Sequence, residues 1–70
     1  MENEVFEHEL AAKIKRLRKE ANISEEEMAE IIGYHSKVVS AIEAGQRAIG
    51  IKTLLKWAQA VGKKLTIDFV

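Results

Sequence analysis

The segment from Ile23 to Gly45 constrains the fold of this chain most, because its pattern is that of two short amphipathic helices separated by a tight turn. Ser24 stands three residues before Glu27, which is the S-x-x-E capping box that satisfies free backbone N–H groups at a helix start. Gly33 can adopt the left-handed conformation that ends a helix. The segment therefore predicts a first short helix that starts after Ser24 and ends at Gly33.

A second short helix is predicted after this turn. Ser36 can begin it, Gly45 can end it, and Val39 and Ile42 are expected to face the interior. The apolar face of the preceding helix is expected to consist of Met28, Ala29, Ile31 and Ile32. Two short helices joined at a glycine turn are the layout of a helix-turn-helix, here over about residues 24–45, and this motif can place its second helix in the major groove of DNA.

Helical periodicity continues on both sides of this segment. Apolar residues at helical spacing predict a first helix over about residues 4–20, and they are Phe6, Leu10, Ile14 and Leu17. Gly50 is a candidate N-cap for a last helix over about residues 51–61, which Gly62 ends. The residues of this last helix that are expected to face inward are Leu54, Leu55, Ala58 and Val61.

The end of the chain has a different pattern. In KKLTIDFV, Leu65, Ile67 and Phe69 occupy alternate positions, which predicts a short β-strand over about residues 64–70. A single strand in a helical chain has no partner, and its free N–H and C=O groups can pair with another chain. Pairing with the same strand of a second copy about a two-fold axis produces a closed homodimer. The alternative is a tail that packs on its own domain.

Composition excludes several classes of function. Seventy residues form one small domain, and a chain of this size buries only about 60% of its unfolded surface. There is no cysteine for a disulfide or thiolate metal site, and the two histidines, His8 and His35, do not make a metal site. With no catalytic constellation either, we predict no metal, no cofactor and no enzymatic activity. Without a signal-peptide pattern or a membrane-spanning apolar run, the expected compartment is the cytoplasm.

Charge is balanced overall but unevenly distributed. Eleven basic and eleven acidic residues sum to a formal net charge of zero, whereas a dedicated nucleic-acid binder usually has a basic excess. Residues 13–19 are strongly basic, whereas four glutamates crowd the helix that starts after Ser24, namely Glu25, Glu26, Glu27 and Glu30. The lack of a basic excess lowers the electrostatic part of any affinity for DNA.

From Ile14 to Val70 the chain resembles the Cro/cI-type (XRE) helix-turn-helix domains of phage repressors and small bacterial regulators. The matching strings are IKRLRKEANIS, EEMAEIIG, VVSAIEAGQR and IKTLLKWAQAVG, in the family's order and nearly at its spacing. The resemblance implies an all-α, lambda-repressor-like fold of four to five helices in a single domain over residues 1–70, here with a short C-terminal β-strand. Similar terminal strands occur in HigA- and HipB-type antitoxins of this family, where they can help form the dimer.

The resemblance also implies residue roles on double-stranded DNA. The family's base-recognition positions lie at the start and on the outer face of the third helix, and in this chain they are His35, Ser36, Lys37, Ser40 and Ala41. The candidate contacts to DNA phosphate are Gln46, Arg47 and Lys52.

Further assignments concern the framework and the dimer. Arg18 and Glu43 match a family ion pair that joins the first helix to the third. Trp57 is either a core residue or a dimer anchor, since tryptophan is enriched at interfaces. The other candidate residues of the dimer interface are Leu65, Ile67 and Phe69.

Two positions depart from the family pattern. Many members have a phosphate-binding glutamine at the position of Glu25, where a carboxylate repels phosphate, and many have asparagine at the position of Ala44. The leading hypothesis is a dimeric repressor that recognises DNA with its third helix. The alternative is a protein-interaction module with weak DNA binding, such as an antitoxin with a cognate toxin or a bridging factor.

Overall fold

Four α-helices make up the regular structure of the computed structural model, which describes the backbone of residues 3–69 and the side chains of residues 5–69. They are α1 (Asn3–Glu20), α2 (Glu25–Ile32), α3 (Ser36–Glu43) and α4 (Ile51–Ala60). The predicted all-α class is confirmed, and the predicted ends of the first and last helices lie within one residue of the observed ones. None of the helices in this part of the chain has the length and apolarity that crossing a lipid bilayer requires.

Local interactions fix both ends of α2. The backbone N–H of Glu27 donates to Ser24 Oγ at 3.0 Å, and the backbone N–H of Ser24 donates to Glu27 Oε1 at 2.8 Å, which confirms the predicted capping box. At the other end Gly33 has φ +82°, and its N–H donates to the carbonyl of Ala29 at 2.9 Å. Only three residues, 33–35, therefore separate α2 from α3.

Trp57 belongs to the core of this single chain. Its side chain is 1% exposed, and the indole Nε1–H donates to the carbonyl of Ile14 at 3.1 Å. The buried apolar residues that form one cluster with it come from α1, α2 and α3, and they are Ile14, Met28, Ala29, Ile32, Val39 and Ile42. Of the two alternatives for Trp57, the structure supports the core one, because a partner chain has almost none of its surface left to cover.

Two residues predicted to face the interior are exposed. Ile31 of α2 is 44% exposed and Leu55 of α4 is 45% exposed, so these two predictions are wrong. An eight-residue helix covers only a narrow stripe of the core, and α2 buries the stripe of Met28, Ala29 and Ile32. Phe6, near the start of α1, is likewise exposed.

The C-terminal tail, residues 63–69, contains no regular secondary structure, so the predicted β-strand over residues 64–70 is wrong for the described part of the chain. Val70 lies outside the described residues. Leu65 is half-buried, whereas Ile67 is exposed and Phe69 is 94% exposed. A strand needs ladder hydrogen bonds to a neighbouring strand, and residues 3–62 offer only helices and their connections.

Candidate nucleic-acid interface

The third helix has one face in the core and one face toward solvent. Val39, Ile42 and Glu43 are its buried residues. Of the five predicted base-recognition residues, His35, Lys37 and Ser40 are exposed, and Ser36 and Ala41 are half-buried. All five lie at the start of α3 or outside its buried stripe, where a ligand in front of this helix can approach them.

The start of α3 lacks the side-chain capping hydrogen bonds that the start of α2 has. His35 occupies the N-cap position with extended backbone dihedrals, and its side chain makes no capping hydrogen bond. The His35 carbonyl accepts the backbone N–H of Val38 at 2.9 Å, but the backbone N–H groups of Ser36 and Lys37 receive no side-chain acceptor from the cap residue, in contrast to the capping box of α2. Free N–H groups and the helix dipole together favour an anion such as phosphate at this end.

Arg18 holds the other end of α3 against α1. Its Nε donates to Glu43 Oε2 at 2.6 Å, and its Nη2 donates to Glu43 Oε1 at 3.1 Å. A third bond runs from Nη1 to the carbonyl of Ile23 at 2.7 Å. The two residues are 6% and 8% exposed. The hydrogen bond to Glu43 raises the pKa of Arg18 above its ordinary value, an effect that burial opposes, so the guanidinium remains charged.

Arg47, a predicted phosphate contact, lies beside the turn of the helix-turn-helix. Its guanidinium carbon is 5.3 Å from the centroid of the Tyr34 ring, which is cation–π geometry. Tyr34 is in the turn before α3, and Arg47 is in the loop after α3, so the contact joins segments on both sides of this helix. The sequence favours a packing role for Tyr34 over stacking on a base, and it does not indicate this contact with Arg47. Gln46 and Lys52, the other predicted phosphate contacts, are exposed.

Glu25, the acidic residue at the start of α2, contacts α3. Ser40 Oγ donates to Glu25 Oε1 at 2.9 Å, and Glu25 is half-buried. The sequence contains no sign of this contact, because the two residues are 15 positions apart and meet only through the packing of α2 on α3. Ala44, the other departure from the family pattern, is the exposed C-cap residue of α3.

The described residues show no sign of a second kind of site. No group of three or more His, Cys, Asp or Glu side chains among them could hold a metal ion. Every buried side-chain nitrogen or oxygen in this part of the chain has a hydrogen-bond partner within the protein, so none of them requires a ligand to satisfy it. The polar groups that remain available for binding are those on the surface.

The comparisons with known proteins agree with this geometry. The helix-turn-helix family model matches residues 14–67. Among solved structures, the chain is similar to the restriction-modification controller protein C.AhdI from Aeromonas hydrophila, with a TM-score of 0.82 and 23% sequence identity over 91% of this chain and 93% of that chain. At this identity the likeness shows a common fold. No curated protein matches the sequence.

The family match begins inside α1 and ends in the tail, so it includes α2, the turn and α3 together with α4. These are the elements that carry the capping box, the left-handed Gly33 and the solvent-facing side of α3. This chain therefore belongs to the XRE-type helix-turn-helix family of DNA-binding transcriptional regulators.

Proposed function

We propose that this protein is a sequence-specific repressor that binds DNA as a homodimer, with α3 of each subunit in the major groove of one half-site. The observation that carries the proposal is the division of α3 into a buried and an exposed face. Val39 and Ile42 pack the helix against the core, and Lys37 is exposed, so its side chain can contact base edges. A lysine can donate to guanine O6 or N7, and the Ala41 methyl can contact a thymine methyl.

The groups around α3 supply the phosphate contacts in this proposal. The uncapped start of α3 offers backbone N–H groups, and Arg47 offers a guanidinium held beside Tyr34. Gln46 and Lys52 are exposed and can contribute further donors. Contacts of this kind place the protein on the duplex without selecting a sequence.

The proposed dimer contact is an apolar groove, in contrast to the polar surface around α3. The groove is formed by α1, α4 and the tail, and its exposed apolar side chains are Phe6, Ile51 and Ile67. Phe69 extends this surface at the end of the described tail. A domain of this size gains stability by association, and a second copy would cover these side chains. Leu65, Ile67 and Phe69 are thus the proposed interface residues of the tail.

Selection of bound sequences from random DNA by gel shift, at low and at physiological salt, tests the proposal. We expect enrichment of two-fold-symmetric sites with half-site centres about 34 Å apart or a multiple of it. Lys37→Ala should alter the selected sequence, whereas Lys56→Ala, which removes the same charge from an exposed position of α4 outside the groove, should leave it unchanged. Absence of any sequence preference even at low salt would contradict DNA recognition by α3.

A protein-interaction module is the second candidate function. The surface around the start of α2 is acidic, with Glu26, Glu27 and Glu30 exposed, and the chain has no net charge. Such a surface lowers the affinity for DNA and suits a basic protein partner, such as a cognate toxin. Two results together would favour this candidate over the repressor: the selection returns no preferred sequence, and Glu25→Gln leaves DNA binding unchanged. The second result would show that the carboxylate of Glu25 does not repel a bound DNA phosphate.

A further inference from the structure

We propose that Ser40 and Glu25 together recognise an amino group on a base edge, and thereby specify cytosine, with adenine as second choice, at one position of each half-site. The inference rests on the proposed function, because it requires α3 in the major groove. The observation behind it is the hydrogen bond from Ser40 Oγ to Glu25 Oε1 at 2.9 Å. Ser40 is exposed on the outer face of α3, and Glu25 is half-buried at the start of α2.

The bond to Glu25 restricts what the Ser40 hydroxyl can recognise. A serine hydroxyl has one proton to donate and two lone pairs that accept. A free serine rotates and can contact either donors or acceptors on a base edge. A hydrogen bond to an ionised carboxylate is stronger than one between neutral groups, so the Ser40 proton is committed to Glu25. The hydroxyl then presents lone pairs only, and its partner on the base must be a donor.

The negative charge of Glu25 favours the same choice. A carboxylate beside the contact attracts an amino group and repels the acceptor atoms of a base. The nearby carboxylate of Glu27 is already occupied, because it accepts the backbone N–H of Ser24 at 2.8 Å. Glu26 is exposed on the first turn of α2 and adds negative charge to the same region. Among the described residues Glu25 forms no salt bridge, and Arg18, whose pKa the charge of Glu25 helps to raise, is itself hydrogen-bonded to Glu43.

The donors and acceptors in the major groove determine which base satisfies this preference for a hydrogen-bond donor. Guanine presents two acceptors, and thymine presents an acceptor and a methyl group. The N6 amino donor of adenine lies between two acceptors, its own N7 and O4 of the paired thymine, whereas the N4 amino donor of cytosine has one neighbouring acceptor, O6 of the paired guanine. A lone-pair acceptor backed by a carboxylate is therefore best matched by cytosine, then adenine, and worst by guanine and thymine.

Replacing Glu25 by glutamine separates this role from simple charge repulsion. The amide has nearly the same shape, but it can either donate to Ser40 or accept from it. The Ser40 hydroxyl is then free to donate to a base, and the preference for an amino group should fall. Glu26→Gln makes the same change in net charge one residue away, and Glu26 has no side-chain hydrogen bond to α3 among the described contacts.

The experiment is selection of bound DNA from random sequence with the full chain and its Ser40→Ala, Glu25→Gln and Glu26→Gln variants, followed by affinities for duplexes that differ at one base pair. We expect the unmodified protein to prefer cytosine over guanine or thymine by about tenfold at one position of each half-site. Ser40→Ala and Glu25→Gln should each reduce this preference to about twofold or less at that same position. Glu26→Gln should preserve it, while both Glu→Gln changes raise the affinity for all sequences.

The possible failures are distinguishable. If the unmodified protein selects a defined sequence, but Ser40→Ala and Glu25→Gln leave the base frequencies unchanged at every position, the inference is overturned and the proposed function stands. Selection of guanine or thymine at the position sensitive to Ser40 would overturn it equally. If the unmodified protein selects no sequence, DNA recognition by α3 fails and the inference fails with it. Circular dichroism of each variant verifies that these surface changes preserve the helices.

Discussion

The imidazole ring of His8 lies against Gly45, in the loop that leaves α3. A Cβ atom at position 45 would lie 2.6 Å from His8 Nδ1 and 2.8 Å from its Cε1. Gly45 also has φ +75°, which disfavours any residue with a Cβ. The N-terminal half of α1 therefore approaches the end of α3 at a position where the backbone angle favours glycine and where a Cβ atom would displace the exposed His8 ring.

Substitution of this glycine should destabilise the protein more than substitution of Gly33. Gly33 has a similar φ of +82°, but nothing lies within 4 Å of a Cβ there. We expect Gly33→Ala to lower the free energy of unfolding by about 1–2 kcal/mol through backbone strain alone. Gly45→Ala should cost about 0.5–1.5 kcal/mol more, because His8 must leave its rotamer. Urea unfolding measures the destabilisation by each substitution. The additional cost of Gly45→Ala over Gly33→Ala should disappear in a His8→Ala background. An additional cost that persists there would exclude the contact with the His8 ring as its cause.

The buried ion pair should contribute far more to stability than an exposed one. We expect Arg18→Ala and Glu43→Ala each to lower the free energy of unfolding by about 3–5 kcal/mol, because each strands a buried charge. The matched control is Arg16→Ala, which removes an exposed pair with Glu20 at 3.8 Å and should cost less than about 0.5 kcal/mol. Near-zero coupling between Arg18 and Glu43 in a double-mutant cycle would contradict this prediction.

The pH dependence of this contribution follows from the raised pKa of Arg18. A group whose pKa is higher in the folded state stabilises that state below its unfolded pKa, and the contribution disappears as the pH rises through the folded pKa. For Arg18 that loss lies in the strongly alkaline range, above the ordinary pKa of an arginine side chain. Titration of this guanidinium should therefore leave stability unchanged through neutral pH.

Lys37 and Arg47 should affect DNA binding in different ways. Lys37→Ala should relax the preference at one or two base positions of each half-site by about 1–3 kcal/mol, because it removes a donor to base edges. Arg47→Ala should weaken binding to all sequences alike and lower the slope of log affinity against log salt by about one. Salt titrations on the selected site and on single-substitution duplexes separate the two. A sequence-dependent effect of Arg47→Ala would reject its assignment to phosphate.

Tyr34 should act on DNA binding through Arg47. The ring lies 5.3 Å from the guanidinium, and an exposed cation–π contact is worth about 0.5–1 kcal/mol. We expect Tyr34→Leu to weaken binding to all sequences by about this amount, whereas Tyr34→Phe keeps the aromatic face and should have little effect. In an Arg47→Ala background the Tyr34→Leu change should have no further effect on affinity. Full additivity of the two changes would show that Tyr34 does not position Arg47.

The proposed dimer can be tested by charges placed on the groove. Ile67→Lys should shift the chain toward monomer in sedimentation equilibrium, because a charged side chain would enter an apolar contact. Ile31→Lys is the control, since Ile31 is exposed on α2 and does not line the groove. Removal of residues 64–70 should also produce monomer. A truncated chain that dimerises with unchanged affinity would exclude the tail as the contact.

Features set by neighbouring residues could be predicted from the sequence. The capping box joins Ser24 and Glu27 within one helical turn, and the end of α2 needs only the left-handed freedom of Gly33. Such interactions form wherever the chain is helical, so the order and bounds of the helices follow from the local pattern. The resemblance to a known family added the long-range pair of Arg18 and Glu43, which spacing alone does not indicate.

Features that depend on how the helices pack did not follow from local pattern. The contacts of Ser40 with Glu25 and of Arg47 with Tyr34 require a particular placement of α3 against its neighbours. Ile31 is as apolar as Ile32, yet only Ile32 is covered, because the neighbouring helices meet one narrow stripe of α2. The alternating tail forms no strand, since ladder hydrogen bonds need a second strand and the described helices provide none. Local hydrogen bonds and backbone preferences thus define the helices, whereas the relative placement of those helices creates the surface available to DNA.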